Sequence, residues 1–472
     1  MKNHTMKTPL SIVSIFAMVL ISYMTGQARV FDDQASLQWK AGVAKIDITP
    51  EDPIWMAGYG GRDHPSEEVI HPIWIKALAL EDASGKQSVL ITSDLLGMPK
   101  DISDRIRDGL KEKHGLGKSQ IIINSSHSHS GPVLGNSLSD IYPMNEEHKE
   151  QVNQYADALV NHMFRVVEEA FGSLQPAHLF VENGVTRFQV NRRNNAENTL
   201  ESNSDLKGPN DYAVPVIKVA NEAGDIIAIV FGYACHPTVM GDYKISGDYP
   251  GFAQIELEKN YPGAVALFFQ GAGADQNPLP RRTIFLAQQY GKSLAAAVER
   301  VLSEGMKQLE ASIQTAYAEV DLDLAEAPSM EALSKFIATS SGYQKRWATR
   351  MREERSKGLE MPKSYPFPVQ VWKLGDQPIM TLGGETVIEY AVQLKKIFGQ
   401  HIFVMGYTND VMGYIPSTTI LREGGYEGAS SQMVYGMPST WGSNIEIVIL
   451  HEFLHLAEQT GVSQLQSNLI PN

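Results

Sequence analysis

Cysteine is nearly missing from this 472-residue chain. Cys235 stands alone, so no intramolecular disulfide can form and stability must come from a packed core. In YACHP it reads most simply as a small buried residue. Basic blocks are missing too. The formal charge is −14 with no run of Lys or Arg, which argues against nucleic acid as a partner. There is no low-complexity tract and no heptad repeat. The one long apolar run, Leu10–Met24, is too short to favour a spanning helix. Lys2 and Lys7 precede it and TGQA follows, the pattern of a leader cleaved after Ala28. No cysteine follows to carry a lipid. We expect a secreted or periplasmic protein, with residues 1–28 as signal peptide and 29–472 as a mature chain without a transmembrane segment. Nothing in the sequence speaks to oligomeric state.

The mature chain, about 440 residues, is long for one compact core, so one large elaborated domain or two are expected. Apolar strands alternate with helical stretches. WIKALALED, the turn ASGK and SVLITSDLLG form a strand–turn–strand that ends at Asp94. The same theme returns in PVIKVANEAGDIIAIVFGYACHP, ending at His236, and in VQVWKLGDQPIMTLGGE, ending at Glu385. Further apolar strands lie in IIINSS (Ile121–Asn124), AVALFFQGAGADQNP and HIFVMGYTND. Helices are predicted at 100–113, 147–172, 281–305, 328–357 and 386–398. The expectation is an α/β fold, a mixed β-sheet core flanked by helices, with a helical insertion at about 325–365 that could roof a cleft. Polar and ligand-type residues follow the strands, where sites assemble in open α/β sheets.

HEFLH, residues 451–455, matches the zinc-protease pattern H-E-x-x-H. Its context, SNIEIVILHEFLHLAEQTG, reads as a helix with a Ser443/Glu446 capping box and a stop at Gly461. Ile447, Leu450, Phe453, Leu454 and Ala457 would form its apolar stripe. No histidine follows His455 and Glu458 is the one acid, so a downstream third ligand is missing. We read a packing helix. NSSHSHSGP is the stronger feature: if the strand continues, His127 and His129 project on the same side. Such a pair suits a metal or a catalytic role, or equally two exposed loop histidines. His236 leaves a strand that Pro237 ends. Glu385 follows two glycines at a helix start, where acids are favoured in any case. Tyr414 and Tyr426 are loop tyrosines. QGAGADQNPLPRR carries Asp275, Asn277, Arg281 and Arg282 but lacks the Lys and Ser/Thr of a phosphate loop. The two arginines could meet an anionic or polyhydroxylated substrate, or simply solvate a helix start.

Taken in order, AGVAKIDITPED, AGYGGR, SSHSHSGP, VNRRNN, YACHPTVMGD, FFQGAGADQNP, GGETVIEYA and TNDVMGYIPSTTILREGGYEGAS resemble the catalytic N-terminal domain of the neutral/alkaline non-lysosomal ceramidases. The resemblance covers nearly all of the mature chain. It implies one catalytic Zn2+ held by His127, His236, Glu385 and Tyr414. It makes His129 an active-site residue with Arg192 and Tyr426 as its substrate-polarising partners. Asn277 stands in the catalytic set, with Asp275 and Arg281 as substrate contacts. Two departures stand out. The family's G-D-V-S-P is A-D-Q-N-P here, so Asn277 replaces a serine, and an amide is neither nucleophile nor general base. The family also continues into a C-terminal β-sandwich domain, for which a chain ending at Asn472 has no counterpart.

The resemblance implies a zinc hydrolase cleaving the amide of an N-acylated lipid such as ceramide. The same metal site on an acyl ester, an N-acetylated sugar or a glycan stays open. So does a non-catalytic protein on this fold, and the protease suggested by HEFLH is the remaining reading. A second, structural metal is undecided.

Overall fold

The computed structural model describes residues 38–202 and 205–465, besides Met1. Apart from Met1, the expected signal peptide lies outside the described residues.

The first sheet is nine-stranded and mixed. Its main strands are β1 (Trp39–Asp47), β2 (Trp74–Glu81), β3 (Gln87–Ser93), β4 (Ile121–Ser125), β5 (Gln175–Val185), β6 (Ala213–Asn221), β7 (Ile226–Tyr233) and β8 (Val265–Gln270). They run in the order β8-β7-β6-β5-β1-β2-β3-β4. Neighbours are antiparallel except at the two ends, where β8 pairs parallel to β7 and β4 parallel to β3. A second sheet holds β9 (Ile313–Asp323), β10 (Ser364–Leu374), β11 (Gln377–Leu382) and β12 (Phe403–Met405), again with its last pair parallel.

Alternation along these strands explains a four-layer stack. Val89 and Ile91 on β3, with Ile121 and Ile123 on β4, meet α1 (Lys100–His114) and α2 (Glu146–Gly172). Val214, Val216, Ile229 and Phe231 meet α3 (Asp248–Asn260) and α4 (Ile284–Ser303). The alternate residues Leu90, Ile122, Ile217, Val230 and Phe269 face the other way, onto Trp372, Leu374, Ile379 and Phe403 of the second sheet. The far side of that sheet, through Val369, Val371, Met380 and Leu382, is covered by α7 (Ile388–Phe398) and α8 (Ile445–Thr460). Strands buried on both faces need apolar residues at nearly every position, which is how β3, β4 and β8 read.

The recurring strand–turn–strand theme becomes three hairpin–helix–strand units: β2–β3–α1–β4, β6–β7–α3–β8 and β10–β11–α7–β12. In each, the last strand lies parallel to the second hairpin strand, so carboxyl ends gather on one edge. Asn124 joins the three units there. Its side chain accepts from Gln270 N at 2.8 Å and donates to Gly406 O at 2.8 Å.

The insertion between β9 and β10 folds as two helices, α5 (Met330–Thr339) and α6 (Gly342–Ser356), and not as one through 328–357. Gly342, at φ 54°, starts the second. Leu333, Trp347, Ala348 and Met351 form its small core. It is clamped down by Arg350 on the Asp140 carboxylate at 2.7 Å, by Arg346 on Ile141 O at 2.8 Å and by Trp347 Nε1 on Met437 O at 2.9 Å. Among the described residues no helix is long and apolar enough to cross a membrane.

Candidate metal centre

HEFLH lies in α8, the helix that covers the far side of the second sheet. His451 and His455 are exposed, and His455 Nδ1 pairs with Glu452 at 3.2 Å. The helix ends at Gly461 in the left-handed region, as expected, but two details differ. Ile447 is 71% exposed, and the buried stripe is Ile445, Ile449, Phe453, Leu456, Ala457 and Thr460. There is no capping box: Asn444 is the N-cap, and Glu446 accepts from Thr418 N at 2.6 Å, tying the helix to the start of the short helix Thr418–Glu423.

The strand bearing NSSHSHSGP stops at Ser125, so His127 and His129 are not alternate residues of one strand. His127 sits at φ 64°, which turns the chain sharply. The turn still brings the two rings together, with Nε2 atoms 3.2 Å apart. His236, after β7, brings a third ring. Among the described residues His127, His129 and His236 form a buried group able to hold a metal ion, with ring nitrogens within 4.8 Å of one another.

Glu385 and Tyr414 arrive side by side. Glu385 is not yet in a helix; Glu385–Thr386 pairs parallel with Tyr414–Ile415, placing Glu385 opposite Tyr414. This bridge needs Gly384, at φ 65°, where an added Cβ would stand 2.6 Å from Ile415 Cγ1 and 2.8 Å from Gly413 O. Glu385 Oε2 lies 3.1 Å from Nε2 of both His127 and His236. Tyr414 Oη lies 3.4 Å from His236 Nε2.

Hydrogen bonds behind these groups fix their aim. His127 Nδ1 contacts Leu96 O at 2.6 Å and His236 Nδ1 contacts Gly273 O at 3.0 Å. A proton on each Nδ1 leaves the Nε2 lone pairs facing inward. Tyr435 Oη donates to Glu385 Oε1 at 2.5 Å, while buried Oε2 has no donor. Burial alone would raise the Glu385 carboxyl, but His127 and His236 hold it well below the usual range. Burial pushes His236 down to about 4, against the pull of Glu385, so it is neutral near pH 7. Burial, with His127 and His236, holds His129 well below the usual imidazole value.

Arg192 forms the other wall. A short antiparallel bridge pairs Gln189–Asn191 with Gln276–Pro278, and Arg192 N donates to Asp275 O at 2.8 Å. Its guanidinium reaches Glu427 at 2.7 Å, Asn277 Oδ1 at 3.3 Å and Tyr414 Oη at 3.2 Å. Burial opposes its charge, but Tyr414 and Glu427 hold the guanidinium well above its ordinary pKa. Glu427 also takes Arg193 at 2.7 Å. The Tyr426 ring packs on Tyr414 at 5.2 Å, and its residue is 44% exposed at the mouth. His129 packs on Tyr59 at 4.8 Å.

Of the expected residues, His127, His129, His236, Glu385, Tyr414, Arg192, Asn277 and Tyr426 thus come together. Asp275 and Arg281 are engaged elsewhere. Asp275 is buried with its two oxygens taken by Ile388 N at 2.8 Å and Asn191 at 2.9 Å, a brace between segments. Arg281 pairs with Glu197 at 2.8 Å on the rim. Glu427 and Tyr435 join the site without having been singled out. Glu427 had one available signal, its place beside Tyr426 in YEGAS. Tyr435 had none.

The profile of the neutral/alkaline non-lysosomal ceramidase N-terminal region matches residues 39–279. The chain belongs to the neutral/alkaline non-lysosomal ceramidase family. Neutral ceramidase of Pseudomonas aeruginosa is 26% identical over 254 residues, 51% of this chain and 37% of that protein. Neutral ceramidase B of Dictyostelium discoideum is 26% identical over 222 residues, 44% of this chain and 30% of that protein. The neutral ceramidase of Oryza sativa subsp. japonica is 24% identical over 246 residues, 50% and 31% of the two chains. The chain spans about a third of the length of these curated relatives. The crystal structure of the P. aeruginosa neutral ceramidase superposes with a TM-score of 0.70 at 19% identity, over 92% of this chain and 77% of that one. That likeness is one of fold: a mixed ceramidase-type sheet with flanking helices.

Proposed function

We propose that this chain is a secreted zinc-dependent hydrolase cleaving the amide bond of an N-acylated lipid such as ceramide, with His127, His236, Glu385 and Tyr414 as metal ligands. The observation that carries this reading is the meeting of two imidazole nitrogens and Glu385 Oε2 at 3.1 Å each. Donors around a four-coordinate zinc, with bonds of about 2.0–2.1 Å, stand roughly 3.3 Å apart along each tetrahedral edge. Tyr414 Oη, 3.4 Å from His236, supports a fourth corner. The donor-free, buried Oε2 supports it too, since such an oxygen is costly unless something satisfies it. His129 is assigned to the substrate side because its Nδ1 has no carbonyl to fix a ligating tautomer.

Zinc bound there supplies a Lewis acid that polarises an acyl carbonyl and lowers the pKa of water. The chain's own groups do the rest. Arg192, held by Glu427, sets positive charge beside Tyr414 Oη, where it stabilises charge developing on the acyl oxygen. His129 Nε2, 3.2 Å from His127 Nε2, borders the same centre and can exchange a hydrogen bond or a proton with the departing group. Asn277 Oδ1 accepts from Arg192, which leaves its NH2 as a donor for substrate. Because an amide there replaces a serine, a second reading keeps the site and changes the substrate to an acyl ester, an N-acetylated sugar or a glycan.

Metal analysis of purified protein is the test. His127→Ala and His236→Ala are expected to lose zinc, and His451→Ala and His455→Ala to keep it. Zinc that survives loss of both His127 and His236 but leaves with His455 would sink the assignment. Turnover of N-acyl sphingolipids, acyl esters, acetylated sugars and glycans, with and without chelator, then decides between the two readings.

A further inference from the structure

Beside the centre lies a cavity of about 390 Å³ lined by Tyr59, Met240, Gly241, Asp242, Arg282, Thr283 and Ile284. Tyr59 belongs to both places, since its ring also packs on His129 at 4.8 Å. The size falls within the range of small-molecule sites. Three features set this cavity apart from an ordinary surface dent.

Arg282 is held in a conformation that L-residues rarely adopt, at φ 88°. The surrounding chain enforces it: Arg282 N donates to Val239 O at 2.7 Å, and Nη1 donates to Tyr59 Oη at 3.0 Å. A side chain at position 241 would collide with that guanidinium, its Cβ standing 2.6 Å from Nη1, so Gly241 keeps the place open. On the same lining, the Asp242 backbone carbonyl accepts from Arg62 at 2.9 Å, and one carboxylate oxygen, Oδ1, is buried without a donor. Neighbouring Arg281 differs, being consumed by Glu197 and Thr238. The cavity therefore offers donors from Arg282, held by its backbone and by Tyr59, and a carboxylate from Asp242, with no hydrogen bond between the two.

Opposite charges on one small cavity select its ligand. A phosphate would meet Asp242 and an ammonium would meet Arg282, each a like-charge repulsion. A neutral group whose hydroxyls both donate and accept satisfies the two sides at once. We propose that this cavity is a subsite for a polyhydroxylated ring, the sugar-like portion of the acylated compound whose acyl group reaches the metal centre through Tyr59 and His129. The proposal rests on the hydrolase reading for the acyl group but not for the binding of the ring.

The test uses the whole protein and N-acetylglucosamine as probe, with glycine and inorganic phosphate as comparisons, followed by ligand-observed NMR. Saturable binding of the sugar is expected, with Arg282→Leu and Asp242→Ala weakening it at least tenfold, about the loss of one or two hydrogen bonds. The thermal midpoint of each variant shows that it folds. His127→Ala is expected to retain sugar binding, so the subsite can stand even if every acyl substrate is refused. Where an N-acyl sugar is turned over, Arg282→Leu should raise KM about tenfold with a smaller effect on kcat. Absence of saturable sugar binding, binding unchanged in both variants, or preferred binding of phosphate or glycine would overturn the proposal.

Discussion

At the scale of single residues, the site depends on partners that aim other groups. Glu427 is the clearest. It is buried, and its two oxygens hold Arg192 and Arg193 at 2.7 Å each. Without that carboxylate, Arg192 would be a largely buried cation leaning on Asn277 and Tyr414. Breaking such a pair costs several kcal/mol, about 3–5 when one partner is removed outright. Glu427→Gln keeps the shape and removes the charge. We expect about a tenfold loss of kcat with KM changed less, because Arg192 is needed where charge develops and not where the ground state binds. Glu427→Ala should also lower the thermal midpoint. Steady-state kinetics and thermal unfolding of the two variants check this. A KM-only effect would show that Arg192 serves ground-state binding.

At the scale of elements, the ligands are set by strand ends and two short bridges, and this decides what could be foreseen. The hairpins ending at Asp94, His236 and Glu385 were legible because strands buried on both faces leave continuous apolar runs. β5 (QPAHLFVENGV) and β9 (IQTAYAEVDLD) carry no such run, because they are partly exposed and mix His, Glu and Asp into the pattern. α3 was missed because it opens on DYPG. The site residues are marked by the family resemblance of their surrounding blocks, since none makes a motif alone. The left-handed turn at His127 and the parallel bridge joining Glu385 to Tyr414 depend on contacts distant in sequence, and no local pattern encodes those. Gly384 carries that bridge. Gly384→Ala forces a Cβ into Ile415 and Gly413 at an unfavourable φ, so we expect destabilisation of about 2 kcal/mol or more. Because the strain falls between two proposed ligands, zinc affinity should fall with it, read by competition with a chelator. Gly263→Ala, also at positive φ but with open space around it, should cost less stability and leave zinc affinity unchanged.

At the scale of the molecule, four layers bury many polar groups where the two sheets meet the gathered loops. One of them makes stability depend on pH. Asp410 closes the loop after β12: Gly384 N donates to its backbone carbonyl at 2.7 Å, and Tyr365 of β10 donates to Oδ2 at 2.7 Å. Its Oδ1 is buried without a donor. Burial pushes this carboxyl from 3.8 up to about 7, with Tyr365 and Lys100 pulling the other way. A raised carboxyl means that the folded chain holds a proton the unfolded chain has released. Its contribution to stability is therefore whole below about pH 4 and is lost as pH rises towards 7, after which the cost is constant. A shift of this size corresponds to a few kcal/mol. Glu385, held low, acts in the opposite sense, and its contribution disappears only in acid. Asp410→Asn cannot ionise and can still accept from Tyr365. Its thermal midpoint relative to the natural chain should therefore climb by several degrees between about pH 4.5 and about pH 8. The variant should be level or slightly less stable at the acid end and more stable at the alkaline end. Thermal unfolding of both proteins across that range decides it, and a midpoint difference that stays flat would mean that Asp410 is already charged in the fold at pH 4.5.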